Sequence, residues 1–259
     1  MSEAKHSRSE RTVDLNADLG ESFGVYKLGA DHELLSVVTS ANIACGFHAG
    51  DPTTVRTAVE AALAAGVAVG AHPGLPDRLG FGRRMMELTE DEAYDLVLYQ
   101  VSVLYAVTRA YGGELRHVKP HGALYNMAAK QASLAAAIAR AVAKVDTALV
   151  LVGLAGSEIL AAAERHGLAS RSEVFADRRY HCDGSLVSRN DPRALIEDAE
   201  ECVAQAIRMT QGSLVRALDG IDVPVRAETI CIHGDGQQAV NFAHRVRTAL
   251  TAAGIVVTA

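Results

Sequence analysis

Three short segments place ionisable or amide side chains at every second position. They are Asp14, Asn16 and Asp18 within Val13–Leu19, His117, Lys119 and His121 in the run His117-Val-Lys-Pro-His121, and His233 with Asp235 in Thr229–Asp235. Asn42 and His48 share one parity in the next apolar segment, and His72 ends another. An extended strand sends alternate side chains to opposite faces, so each segment presents one polar and one apolar face. Carboxylates and imidazoles on a shared face can move protons at neutral pH, and a lysine among them can hold developing negative charge. Asp18, His48 and His121 are also the side-chain types that ligate a divalent ion such as magnesium or zinc.

Several other polar residues have simpler readings. Asp51 and Asp191 each precede a proline, the pattern of a helix N-cap with proline at the first helical position. His6, His32, His166 and His244 fall in the leader or in helical segments and read as solvated. A lone strand-end histidine is usually structural, but five of them (His48, His72, His117, His121, His233) at four strand ends argue against that reading for all. Cys45 and Cys231 read as outward-facing core residues. Neither a G-x-S-x-G elbow nor a P-loop occurs, and Gly80–Arg84 is too short for a dinucleotide-binding fingerprint.

Strand-like runs at Thr12–Leu19, Thr39–Gly46, Val67–His72, Arg116–His121, Ala148–Gly153, Ser172–Asp177 and Thr229–Asp235 alternate with helical patterns. The clearest helix is Thr89–Tyr111. Thr89 with Glu92 forms a capping box, an apolar stripe follows (Ala93, Leu96, Val97, Val101, Leu104, Tyr105), and Gly112-Gly113 stops it. Gly66 and Gly167 sit where C′ glycines end helices. Alternating strands and helices imply a parallel sheet with right-handed crossovers, and seven such units fit a (β/α) barrel slightly better than an open doubly wound sheet. Outward faces then pack on helices, so the polar faces line the lumen. A barrel interior is ordinarily filled by branched apolar side chains. Filling it with Asp, Asn, His and Lys is costly unless those groups pair, bind metal or meet a ligand. They crowd the carboxyl ends of the strands, where such folds place active sites.

The 259-residue chain is 49% hydrophobic and 22% charged, enough for one large α/β domain spanning residues 12–259. Residues 1–11 lack an apolar stretch and read as a leader rather than a signal peptide. A net charge of -6 argues against nucleic-acid or anionic-membrane partners. Four scattered cysteines and no long apolar run point to a cytoplasmic protein with reduced thiols.

Six segments together closely resemble the LamB/YcsF family. They are Asp14-Leu-Asn-Ala-Asp-Leu-Gly-Glu21, Thr39-Ser-Ala-Asn-Ile-Ala-Cys-Gly-Phe-His-Ala-Gly-Asp51, Gly70-Ala-His-Pro-Gly74, Gly80-Phe-Gly-Arg-Arg84, His117-Val-Lys-Pro-His-Gly-Ala-Leu-Tyr-Asn126 and Phe175-Ala-Asp-Arg178. The resemblance runs from about Val13 to Ile255 in one motif order. It implies a seven-stranded β/α barrel of the glycoside hydrolase/deacetylase type. The implied activity is opening of 5-oxoproline (pyroglutamate) to L-glutamate, with ATP as co-substrate hydrolysed to ADP and phosphate, in a complex with partner subunits B and C. The chain departs from the family pattern at Ser188, where proline is expected, and at Gly236-Gln-Gln238.

On this resemblance Asp18, His48, Lys119 and His121 are the expected catalytic residues. Lys119 and His121 face the reacting amide, and Asp18 and His48 serve as base; with His121, both are metal ligands if a divalent ion binds. Arg84 or Arg178 holds the substrate carboxylate by its planar fork, with Asn16, Asn42, Asp177, His233 and Asp235 completing the substrate site. Two other functions fit the same residues. A metal-dependent, deacetylase-like hydrolase would turn over without ATP, and a non-catalytic lactam-binding subunit would bind 5-oxoproline while its lumen variants left complex turnover unchanged.

Overall fold

The computed structural model describes residues 11–232 and 239–259. Its elements in chain order are β1 (Thr12–Leu19), α1 (Asp31–Leu35), β2 (Ser40–Ala44), α2 (Pro52–Ala64), β3 (Ala68–His72), α3 (Glu90–Ala110) and β4 (Leu115–Val118). These lead to α4 (Gly122–Ala128), α5 (Ala132–Val145), β5 (Val150–Leu154), α6 (Glu158–Arg165), β6 (Ser170–Phe175) and α7 (Ala199–Gly212). The chain ends with β7 (Leu214–Arg216), β8 (Asp222–Pro224), β9 (Thr229–Cys231), α8 (Ala239–Ala252) and β10 (Val256–Val257).

Strands β1 to β6 pair in sequence, β6 pairs with β9, and β9 pairs back onto β1, all in parallel. The result is a closed seven-stranded parallel barrel with helices between the strands, as the strand count predicts. β10 adds to the outer start of β1, and β7 with β8 forms a separate antiparallel hairpin before β9.

Local sequence accounts for the helix boundaries. Asp51 accepts from the Thr53 and Thr54 N–H groups, and Pro52 opens α2. Thr89 and Glu92 form the full capping box of α3. Along α3 the buried side chains are Ala93, Val97, Gln100, Val101, Leu104 and Thr108, a stripe of helical period laid on the barrel wall. Gly66 and Gly167 adopt positive φ after α2 and α6, as C′ residues do. Asp191-Pro192, by contrast, opens no helix. Asp191 accepts from the Arg193 N–H and pairs with its side chain, so it closes a turn, and α7 begins later behind the N-cap Asp198.

The apolar faces of the barrel strands pack outward against the helices. Leu15, Ile43, Val69, Val118, Leu151, Val174 and Ile230 are all fully or almost fully buried in one continuous core. The other face fills the lumen with hydrogen-bonded polar groups. Across neighbouring strands Asp18 lies beside Asn42, Asn42 beside Gly70, and Gly70 beside His117. Any side chain at Gly70 would overlap the His117 ring, its Cβ falling 2.0 Å from Nε2. Glycine there lets His117 reach across to Asn42 Oδ1 at 2.8 Å.

Candidate active site

Two cavities open at the ends of the barrel. The one at the carboxyl ends of the strands has a volume of about 430 Å³ and is lined by Asp18, Glu21, His72, Lys119, His121 and Arg178 among others. That size suits a small metabolite. The one at the amino ends, about 820 Å³, is lined by Asp14, Asn16, Ser40, Asn42, His117 and Arg171 among others. A polar lumen joins them. Asp14 accepts from the hydroxyls of Thr39, Ser40 and Thr229, and Asn16 donates to both Thr229 and Glu173.

Lys119 stands at the centre. It leaves β4 where Pro120 holds the chain extended, and its ammonium lies 3.0 Å from Asp18 Oδ1 and 2.8 Å from Glu173 Oε1. It also donates to Asn16 Oδ1 at 3.2 Å and contacts Cys231 Sγ at 3.1 Å. Burial works against the charge, but the surrounding carboxylates offset it and hold the lysine well above its ordinary range. Glu173 is fully buried and, besides Lys119 and Asn16, accepts from the Tyr125 hydroxyl at 2.6 Å. Burial and this neighbour push the tyrosine pKa well up, so its proton stays on.

Beside Lys119 three imidazoles gather at the mouth. His48 and His121 stack with ring centroids 3.8 Å apart, and His72 meets His121 edge-on. His72 Nδ1 lies 2.7 Å from the Lys119 carbonyl, and His121 Nε2 lies 2.8 Å from the Phe81 carbonyl. Burial, followed by the neighbouring imidazoles, drives the pKa of His48 and His121 well below the usual value. Phe81 carries φ 54 in the left-handed region, a strained conformation that aims its carbonyl at His121. The next residue, Gly82, also has positive φ, and a Cβ there would meet His48 Cβ at 2.7 Å. Gln100 of α3 braces the other loop, its amide both donating to the Gly74 carbonyl and accepting from the Gly74 N–H. Glu21, His48, His72 and His121 offer four ligand atoms within 4.8 Å of one another, a group able to bind a metal ion.

The structure therefore brings Asp18, His48, Lys119 and His121 together at one mouth. Asn16 and Asn42 lie deeper, holding Asp18, Lys119 and Glu173 in place and facing the amino-end cavity. Of the two arginines expected to meet a carboxylate, Arg178 lines the mouth, and its buried Nε has no hydrogen-bond partner among the described residues. Arg84 does not reach the cavity. Its guanidinium is gripped by Asp77, whose carboxylate also accepts from the Gly80 N–H and shapes that turn. The neighbouring Arg83 lines the cavity instead. Asp177 is buried beside Arg178 but is not part of the wall, while Ser188 is. His233, Asp235 and Gly236-Gln-Gln238 lie outside the described residues.

Cys231 corrects the parity expected for it, since it points inward onto Lys119. It shares the parity of Thr229, whose hydroxyl also faces the lumen. Glu21 and His72 converge on His48 and His121, while Asp18 places Oδ1 on Lys119 and Asn42 and Oδ2 3.2 Å from His72 Nε2. Glu173 shares the parity of Phe175 and Asp177, so strand alternation contains the signal for it.

A sequence profile of the LamB/YcsF family matches residues 13–259. The chain belongs to the LamB/YcsF family. Among its LamB/YcsF relatives, the protein named as the A subunit of 5-oxoprolinase from Brevibacillus brevis is 57% identical over 249 residues, covering 96% of this chain and 98% of that protein. The protein of the same name from Bacillus subtilis is 56% identical, covering 95% and 96%. The crystal structure of a lactam utilization protein from Thermus thermophilus superposes with a TM-score of 0.90 at 48% identity, covering 96% of this chain and 99% of that one.

Proposed function

We propose that this chain is the A subunit of an ATP-dependent 5-oxoprolinase, which opens 5-oxoproline to L-glutamate together with subunits B and C. The observation that carries the reading is the identity of more than half, over nearly the full length, to relatives named as the A subunit of 5-oxoprolinase. Loops at the mouth add physical support for a covering partner. Val25, Tyr26, Leu79 and Met85 are large, exposed apolar side chains on two of these loops, which Arg78 joins by stacking over Phe23.

A five-membered lactam is an unstrained amide with a poor leaving group. Transfer of the γ-phosphoryl group of ATP to the lactam oxygen releases ADP and leaves an electrophilic ring carbon. Water adds to that carbon, and the C–N bond breaks with a proton delivered to nitrogen. A second water then cleaves the acyl phosphate to L-glutamate and phosphate. In this chain Lys119, held charged by Asp18 and Glu173, faces the oxygen on which negative charge develops. The Asp18 carboxylate takes the proton from the attacking water. His48 and His121 stay neutral beside it, and Arg178 receives the substrate carboxylate through its fork of donors.

The test measures glutamate and phosphate release together, from the purified chain alone and with subunits B and C. Coupled release that needs all three supports the reading. Robust ATP hydrolysis by the isolated chain contradicts the complex, and deacetylase turnover without ATP replaces the reading with a hydrolase.

A further inference from the structure

We infer that Glu21, His48, His72 and His121 bind one divalent transition-metal ion, and that the ion sits where two imidazole lone pairs face each other. The argument rests on proton positions that the hydrogen bonds fix. His72 Nδ1 lies 2.7 Å from the Lys119 carbonyl, and His121 Nε2 lies 2.8 Å from the Phe81 carbonyl. Carbonyl oxygens only accept, so in each neutral ring those nitrogens carry the proton. The remaining nitrogens, His72 Nε2 and His121 Nδ1, are then both lone pairs, yet they lie 2.9 Å apart. Neither can donate to the other. A cation must sit between them or beside them, either a proton or a metal ion.

The surroundings favour the metal. Glu21 Oε1 lies 3.6 Å from His121 Nδ1 and 3.4 Å from His48 Nε2, and Asp18 Oδ2 lies 3.2 Å from His72 Nε2. Anionic oxygens thus converge on the same spot as the lone pairs. His48 and His121 are nearly fully buried, where an added proton on a ring is costly. His48 Nε2 faces Glu21 Oε1, while its buried Nδ1 has no hydrogen-bond partner among the described residues. The carbonyls of Lys119 and Phe81 are the outer partners that ligating histidines typically have, and they orient both rings. Three imidazoles and one carboxylate suit zinc, cobalt or nickel; magnesium and calcium prefer oxygen shells. When bound, such an ion would polarise a substrate oxygen as a Lewis acid. The inference is independent of which substrate the cavity takes.

The test uses the full-length chain stripped by a chelator and dialysed, then titrated with cobalt and zinc at neutral pH. The expected result is a single equivalent of cobalt, seen as visible d–d absorption and displaced by zinc, with bound metal counted by elemental analysis. His72→Gln and Glu21→Gln should each weaken cobalt binding by at least about tenfold, in line with the effect of disturbing a metal's supporting residues. Uptake that these substitutions leave unchanged would mean adventitious binding to surface histidines, and would overturn the site. Nitrogen-15 spectra of the unsubstituted apo protein cover the case in which a variant fails to fold. Neutral His72 and His121 rings that shift on adding zinc support the site. A doubly protonated ring indifferent to zinc shows that a proton fills the place, and overturns it.

Discussion

Lys119 sits between two carboxylates, so its removal acts on stability and on chemistry by different routes. Lys119→Met leaves Asp18 and Glu173 facing each other in a buried lumen without their shared cation. Removing one partner of a buried ion pair costs about 3–5 kcal/mol, seen as a lower melting temperature. The double variant Lys119→Met/Glu173→Gln removes one of the stranded charges and should regain much of that loss. Its kcat in the reconstituted complex should stay down by at least ~100-fold, the scale for losing a preorganised charge-stabilising group. Near-normal kcat in the double variant would reduce Lys119 to a structural ion-pair partner. His117 gives a pH prediction. Burial lowers its pKa to about 4 in the folded chain, against an ordinary value near ~6.5 in the unfolded one. As pH falls, the unfolded chain takes up the proton first, so this contribution to stability is intact above ~6.5 and is lost progressively down to about 4. Urea unfolding across that range should show the decline, and His117→Gln should make it shallower, with buried His48 and His121 carrying the remainder. An equally steep decline in the variant would rule His117 out as its source. Alternating side chains made Asp18, Lys119 and His121 legible in the sequence. Glu21 and His72 were not legible as a pair, because Glu21 lies in the loop after β1, beyond the strand alternation, and His72 ends β3 on the far side of β2.

Elements are most legible where backbone chemistry fixes them. The capping box of Thr89 and Glu92, the Asp51-Pro52 start and the C′ glycines all stand as written in the sequence. Strand centres agree too, while their ends shift by a few residues at both the amino and the carboxyl ends. Asp191-Pro192 misleads because the same N-cap chemistry also closes a tight turn. Two substitutions in and beside α3 separate its roles. Thr89→Ala removes the cap and should cost about 1 kcal/mol, a fall of roughly 2–4 °C in melting temperature, with kcat unchanged. Gln100→Leu keeps the bulk but strands the N–H and carbonyl of Gly74, each worth about 1–3 kcal/mol when left unsatisfied. Because Gly74 packs directly against the His48 ring, this second variant should also lower kcat. A Gln100→Leu chain that loses stability but not kcat would confine the brace to structure.

At the scale of the whole molecule, a polar lumen opens at both ends, and apolar side chains crown the mouth that holds the ionisable cluster. Leu79 and Met85 are almost fully exposed and largely exposed, respectively. If subunits B and C cover this mouth, Leu79→Asp and Met85→Asp should weaken assembly in size-exclusion or sedimentation measurements while leaving the melting temperature of the isolated chain within about 0.5 kcal/mol equivalent. Unchanged assembly in both variants would move the contact elsewhere. The count of strand–helix units favoured a barrel only slightly over an open sheet, and the family motifs decided for closure, whereas the crown was not legible, since scattered apolar residues in loops carry no periodicity. The thiols of this chain have a practical consequence. Cys45, Cys202 and Cys231 are buried, and burial pushes Cys45 and Cys202 up to about 12 and Cys231 well above its usual range, so all three resist alkylation. Cys182 alone is exposed, three residues before Ser185 on the cavity wall. A maleimide dye should therefore attach at that one address without any engineering, giving the native chain a built-in fluorescent reporter at the rim where ligands and partners would arrive.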